Sequence, residues 1–107
     1  MPSGQDLSLT EVLIDDVSGE AWLRFRFLAP QISRHSGTVT YSDAEDDFAH
    51  LCDAVARPYL LEHALAADVI AITLMDRAVP FGQADPDATQ FIEVFRIEND
   101  ACVWELL

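Results

Sequence analysis

Residues 85–89 carry the pattern D-x-D-x-T, which contains the aspartate nucleophile of some phosphotransfer enzymes. A phosphatase of the haloacid-dehalogenase type places its first aspartate at the end of a buried apolar strand and also needs a lysine. Here Asp85 follows Phe81-Gly82-Gln83-Ala84, Pro86 separates the two acids, and the chain contains no lysine. We therefore interpret Asp85-Pro86-Asp87 as a turn, because aspartate and proline both favour turns.

The longer segment around this pattern, residues 76–90, joins two strongly apolar stretches of the chain. A loop that meets a sheet in this way could bind a small ligand or belong to an enzyme, since sites are often built on loops held by a rigid scaffold. If this loop has such a function, we expect the site to involve Arg77, Phe81, Asp85 and Gln90.

Asp46, His50 and Asp53 are spaced at i, i+4 and i+7, so a helix would place two carboxylates and an imidazole on one face. These groups can bind a metal ion. A solvated helix face has the same appearance, with Arg57 completing a ladder of charges. Since one exposed helix seldom closes a metal site, we predict no metal site here.

The two cysteines allow three interpretations. Cys52 and His50 are two residues apart, so they would point to different faces of a helix and could not form a nucleophile–base pair. Cys52 and Cys102 could both be buried free thiols, as is usual in a reducing compartment. Alternatively they could form a disulfide, because the helix stripe that carries Cys52 should cover the sheet face that carries Cys102.

Arg24, Arg26 and Arg96 could lie together on one sheet face and bind an anion, but pairing with Glu11 and Glu105 on neighbouring strands is the simpler expectation. The chain contains no P-loop, no glycine-rich dinucleotide turn and no CxxC, and no Ser-His-Asp set is indicated by spacing. We therefore predict no catalytic residue and no cofactor.

The elements that position these residues follow the predicted order β-β-α-β-β-β. This order corresponds to an α+β fold with an antiparallel sheet of about five strands and one kinked helix packed on one face. Period-two patterns and apolar runs predict strands at Leu7–Ile14, Ala21–Leu28, Val69–Met75, Phe91–Ile97 and Cys102–Leu107, and a short strand at Thr38–Tyr41.

A capping box formed by Ser42 and Glu45 predicts the start of the helix. Pro58 is expected to stop or kink it, because proline lacks an amide hydrogen and clashes with the preceding turn. The strand Val69–Met75 is apolar on both faces, which indicates a central position in the sheet.

The predicted turn at Asn99-Asp100 sets the two faces of the last hairpin, because it pairs Ile97 with Cys102 and Phe95 with Trp104. The face towards the helix is then apolar except for Glu93. The opposite face mixes apolar and charged side chains, so it is either poorly covered or meets a partner. We favour a partner that binds through Ile92, Val94, Val103 and Leu107.

The composition limits the possible partners. The 107 residues predict a single domain, 1–107, with a formal net charge of −13 that would repel nucleic acids and anionic membrane surfaces. No apolar run reaches the roughly 20 residues that a membrane helix needs. The N-terminus does not resemble a signal peptide, so the sequence as written indicates the cytoplasm, whereas a removed leader would indicate the periplasm or export.

The segment DRAVPFGQADPDATQFIEVFRIENDACVWE resembles a family of small alphaproteobacterial proteins of unknown function, and the resemblance extends over HLCDAVARPYL and LTEVL. Some members of that family are labelled "acetolactate synthase". Enzymes of that kind hold thiamine diphosphate through a GDG…NN motif, and this chain contains no GDG. The resemblance also implies that relatives are exported, which would favour the disulfide. Because one sheet face is mixed and no convergent set of polar residues is indicated, we predict a non-catalytic module that binds a protein partner or a second copy of itself.

Overall fold

The computed structural model describes residues 1–105, in which five strands form one sheet with a helical layer on one side. The strands lie side by side in chain order, which confirms the predicted α+β fold and its order of elements. Their bounds are β1 Ser8–Val17, β2 Glu20–Leu28, β3 Val69–Met75, β4 Gln90–Glu98 and β5 Ala101–Glu105.

Two tight turns join the outer strands into hairpins, β1 with β2 and β4 with β5. Ser18 and Gly19 have φ angles of 53° and 82°, and Asn99 and Asp100 have φ angles of 51° and 59°. A two-residue turn with both φ angles positive matches the right-handed twist of the strands that it joins. The predicted pairing of Ile97 with Cys102 is confirmed.

The central pair of strands, β2 and β3, is parallel, whereas the other three pairs are antiparallel. Two parallel strands need a long crossover connection, because the chain must return to the same end of the sheet before it can pair again. The helical layer between residues 41 and 62 provides that crossover. The sheet is therefore mostly antiparallel.

The crossover helix is continuous over 22 residues but changes its winding in the middle. The segment α1 Tyr41–Leu51 is followed by one π-helical turn, Cys52–Ala56, and then by α2 Arg57–Glu62. In the π turn, the Arg57 amide donates to the Cys52 carbonyl, five residues earlier. Pro58 follows directly and cannot donate a helical hydrogen bond, so the wider turn relieves the clash that a regular helix would have at this position.

The predicted short strand at Thr38–Tyr41 is wrong. The amides of Thr38 and Val39 both donate to the Gln31 carbonyl, at 2.9 Å, so their donors are used by a local loop. Gly37 allows this close approach, because a Cβ atom there would lie 2.4 Å from the carbonyl oxygen of Gln31.

The helix also begins earlier than the predicted capping box of Ser42 and Glu45. Thr40 is the N-cap, and its hydroxyl accepts from the Asp43 amide at 3.2 Å while the Asp43 carboxylate accepts from the Thr40 amide at 3.0 Å. The hydrogen bond from the Thr40 amide to the carboxylate is the largest of the causes that hold the pKa of Asp43 below its ordinary value. Both residue pairs fit the capping pattern, and the loop hydrogen bonds to Gln31 select the earlier one.

The main core lies between the sheet and the helix. It is formed by alternate residues of β2, β3 and β4 and by one stripe of the helix, with Phe25, Ile70, Ile72 and Phe48 completely buried. All seven residues of β3 are buried, as expected for a central strand. Within residues 1–105, no helix is long and apolar enough to span a membrane.

Candidate functional site

The D-x-D-x-T pattern forms a turn in the loop of residues 76–89. The Asp85 carboxylate accepts from the Asp87 amide at 3.0 Å, and the Asp85 carbonyl accepts from the Ala88 amide at 3.1 Å. At the base of the loop, the Thr89 amide donates to the Asp76 carboxylate at 2.8 Å. The carboxylate of Asp85 therefore stabilises the turn to which Asp85 belongs, and the prediction of a turn at Asp85-Pro86-Asp87 is confirmed.

Arg34 fastens this loop to the segment that precedes the helix. Its guanidinium donates to the carbonyls of Ala88, at 2.7 Å, and Pro86, and its amide donates to the Thr89 hydroxyl at 3.0 Å. This role was not predicted from the sequence, because an isolated arginine in an irregular segment carries no pattern that points to a partner about 55 residues away.

The four residues predicted for a ligand site in the loop have different surroundings. The Arg77 side chain is half exposed and lies 3.6 Å from Asp76, and Asp85 belongs to the turn described above. Phe81 is 53% exposed and packs on two arginines of β2, whereas Gln90 is the first residue of β4 and pairs with Met75. Within residues 1–105, no hydrogen bond or ion pair joins any two of the four.

The sheet side that faces away from the helix is called the open face. Its arginines are paired with carboxylates of other strands, and the partners Glu11 and Glu105 were expected from the sequence. Arg26 pairs with Glu11, and the Arg96 guanidinium donates to Glu20 at 2.6 Å and also pairs with Glu105 at 2.5 Å. The hydrogen bond from Arg96 lowers the pKa of Glu20, and the same bond raises the pKa of Arg96. These guanidinium groups already have anionic partners, which argues against a free anion site.

The middle of the open face has an apolar floor. Val69, Ala71 and Val94 are buried there against Trp22, and this cluster contains no helix residue. The four residues predicted for an interface therefore have different surroundings. Ile92 and Val103 are exposed at 53% and 43%, Val94 is buried in the floor, and Leu107 lies outside the described residues.

The loop of residues 76–89 covers one end of the open face. Val79 and Ala88 pack on Met75 in a small buried cluster, and the Arg26 guanidinium donates to the Val79 carbonyl at 2.7 Å. The Phe81 ring lies 5.3 Å from the Arg24 guanidinium carbon and 5.6 Å from that of Arg26, within the range of a cation–π contact. This end of the face is therefore covered by the loop and carries two arginines and a phenylalanine.

The two cysteines are joined in a disulfide, with their Cα atoms 6.3 Å apart. Cys52 is completely buried at the start of the π turn, and Cys102 lies on β5. Of the three interpretations, the structure therefore contains the disulfide. The bond ties the edge strand of the sheet to the helix that covers it.

The charged helix face carries an ion pair, with Arg57 3.6 Å from Asp53. No group of three or more histidine, cysteine, aspartate or glutamate side chains within residues 1–105 is placed to hold a metal ion. Asp46 and His50 lie on the same helix.

Glu93, the single charged residue predicted on the helix side of β4, has two side-chain donors. Tyr41, at the first position of the helix, donates its hydroxyl hydrogen to one carboxylate oxygen, and the Trp104 indole donates to the other at 2.9 Å. The hydrogen bond to Glu93 raises the pKa of Tyr41 to about 12. The carboxylate thus links the helix, β4 and β5.

A family model described as a family of unknown function (DUF6497) matches residues 1–107. No curated protein and no solved structure matches the chain.

Proposed function

The chain belongs to the DUF6497 family, whose function is unknown, and we propose that it is a self-associating module that binds a second copy of itself through the open face. The observation that carries the proposal is the exposure of two branched apolar side chains of the open face, Ile92 at 53% and Val103 at 43%, beside the buried floor of Val69, Ala71 and Val94. The apolar part of a sheet face is usually packed against another layer.

The distribution of charge favours a second copy over another partner. The open face holds three of the six arginines and five of the nineteen carboxylates, because Glu98 alternates with Val94 and Arg96 on β4, so it carries little net charge. The rest of the molecule holds three arginines and fourteen carboxylates. A cationic partner would therefore prefer the remaining surface, and two acidic molecules repel each other least when their open faces meet.

The geometry of the sheet sets the expected strength of the dimer. Five strands spaced by about 4.8 Å and about seven residues long cover roughly 550 Å² of flat sheet. A standard stable interface buries about 800 Å² on each partner. We therefore expect a two-fold dimer of micromolar affinity, with the sheets about 10 Å apart and the helices on the outside.

The proposal includes no enzymatic activity. The resemblance to small alphaproteobacterial proteins labelled "acetolactate synthase" adds none, because the sequence has no GDG segment through which thiamine diphosphate could be bound.

Sedimentation equilibrium between about 1 and 200 μM tests the proposal. The dissociation constant should fall as salt is raised from low to about 0.5 M, because salt screens the repulsion between two chains of net charge −13. The double variant Ile92→Asp, Val103→Asp should be monomeric throughout.

Ile14→Asp is the matched control, because Ile14 is 67% exposed and pairs with Leu23, whose side chain points to the helix side of the sheet. This variant should still dimerise. A wild-type protein that is monomeric at 200 μM in 0.5 M salt would refute the proposal, and so would an equal loss of dimer in the control.

A further inference from the structure

A groove with a volume of about 500 Å³ lies between the end of the helix and the turn of the second hairpin. This volume falls in the range of small-molecule sites, which is about 300–1,000 Å³. The groove shares no residue with the open face, and its lining is mainly aliphatic: Leu60, Leu61, Leu65, Ala66, Ala67 and Ile97, with Arg57 and Asp100 as the two charged members.

The apolar part of the lining is accessible to a ligand. Leu60 is almost completely buried and belongs to the main core, so it forms part of a fixed floor. Leu61 follows it on the helix and is 83% exposed, the highest exposure of any large hydrophobic side chain among the described residues. An apolar molecule in the groove would remove the Leu61 side chain from water.

The two charged residues differ in their surroundings. The Arg57 guanidinium has a carboxylate partner on its own helix, Asp53 at 3.6 Å. Asp100 makes no ion pair and no side-chain hydrogen bond with any residue in the range 1–105. The groove therefore carries one uncompensated carboxylate, and the net charge of −13 raises the local concentration of cations around it.

We propose that this groove binds a small amphipathic amine. The ammonium group lies at the Asp100 carboxylate, and the apolar body lies along Leu60, Leu61 and Leu65. An aliphatic carboxylate would be repelled by Asp100, and an uncharged alkyl molecule would lose the ion pair. The inference is independent of self-association, because the residues that carry it lie outside the open face.

Isothermal titration calorimetry with three probes of equal chain length tests the proposal: octylamine, octan-1-ol and octanoate, at low salt. Octylamine should bind about fivefold more tightly than octan-1-ol, which is the upper end of the effect of an exposed ion pair. Octanoate should bind more weakly than the alcohol.

Asp100→Asn removes the charge without disturbing the turn, because asparagine tolerates the positive φ of 59° at this position. This variant should lose the fivefold preference for the amine. Asp87→Asn is the matched control, since it removes the same charge from an exposed residue in the loop of residues 76–89. It should bind octylamine as the wild type does.

Leu61→Ser should weaken all three probes, whereas Leu9→Ser, which changes an exposed leucine on β1, should weaken none. Equal affinity for the amine and the alcohol would overturn the proposal. A similar loss of octylamine affinity in Asp100→Asn and Asp87→Asn would also overturn it, because the amine would then be attracted by the net charge of the protein and not by Asp100. The absence of binding at millimolar concentrations of octylamine would overturn the proposal as well.

Discussion

Breaking the disulfide is expected to remove a large part of the stability of this domain. Cys52 and Cys102 are 50 residues apart in the sequence, and the chain-entropy model gives about 4 kcal/mol for a loop of that size at 25 °C. The free energy of unfolding of a small domain is only about 5–15 kcal/mol. We therefore expect the reduced protein to be marginally stable, with a Tm lower by at least about 15 °C, since 1 kcal/mol corresponds to about 4–8 °C for a domain near this size.

Urea unfolding followed by the fluorescence of Trp22 and Trp104 measures this difference. The free energy of unfolding should be about 4 kcal/mol lower with a reductant than without it. The variant Cys52→Ala, Cys102→Ala is the control, because it should be destabilised and should show no further effect of the reductant.

Two outcomes would refute the reasoning. One is a change of less than about 1 kcal/mol on reduction, which would mean that the unfolded chain is already restricted without the bond. The other is alkylation of both cysteines in the non-reduced, unfolded protein, which would show that the bond is absent.

Three further predictions concern polar contacts of the helix. The first concerns the pKa of Tyr41. The difference in absorbance at 295 nm between the wild type and Tyr41→Phe, measured as the pH is raised, should have its midpoint near pH 12. A midpoint near the ordinary pKa of 10.0 would contradict the hydrogen bond to Glu93. Because the folded-state pKa of Tyr41 is raised, its contribution to stability is complete below about pH 10 and is lost as the pH rises towards 12. The second concerns the helix cap. Thr40→Ala should lower the free energy of unfolding, measured in urea, by about 1 kcal/mol, because the cap is lost, whereas the control Thr38→Ala should change it little. Equal effects of the two variants would argue against the cap. Asp47→Ala should cost about 1–3 kcal/mol, because this buried carboxylate accepts three hydrogen bonds from residues 3 and 5. Amide hydrogen exchange of residues 3–5 should become fast in that variant, and unchanged protection would show that other contacts hold the N-terminal segment.

The fold was largely predictable because its signals are local and consistent. The period-two pattern of β2, the two-sided apolar character of β3 and the Asn99-Asp100 turn each specify one state and agree with one another. The turn also fixed the register of the last hairpin, and with it the sheet face on which Cys102 lies.

Two details could not be decided from the local sequence. Thr40–Asp43 and Ser42–Glu45 are both good helix starts, and the choice depends on hydrogen bonds to Gln31, which no local pattern reveals. The parallel pairing of β2 with β3 depends on where the helix returns the chain, which is a property of the whole fold.

The candidate sites were less predictable, because they depend on side chains that are distant in the sequence. Glu93 was identified as an exception on its face, but its partners Tyr41 and Trp104 lie in other elements. The groove beside Asp100 combines the end of the helix with a hairpin turn, and neither segment has a motif of its own.

The disulfide also determines how far the chain can be extended under mechanical load. Residues 52 to 102 form a covalent loop, so a force applied at the two chain ends can extend only the residues outside it. The bond therefore shields about 180 Å of chain from extension, at roughly 3.6 Å per residue. Strands β3 and β4 lie inside the loop while β1 and β2 lie outside it, so pulling would separate β2 from β3 and extend β1 and β2, whereas β3 and β4 could not be extended.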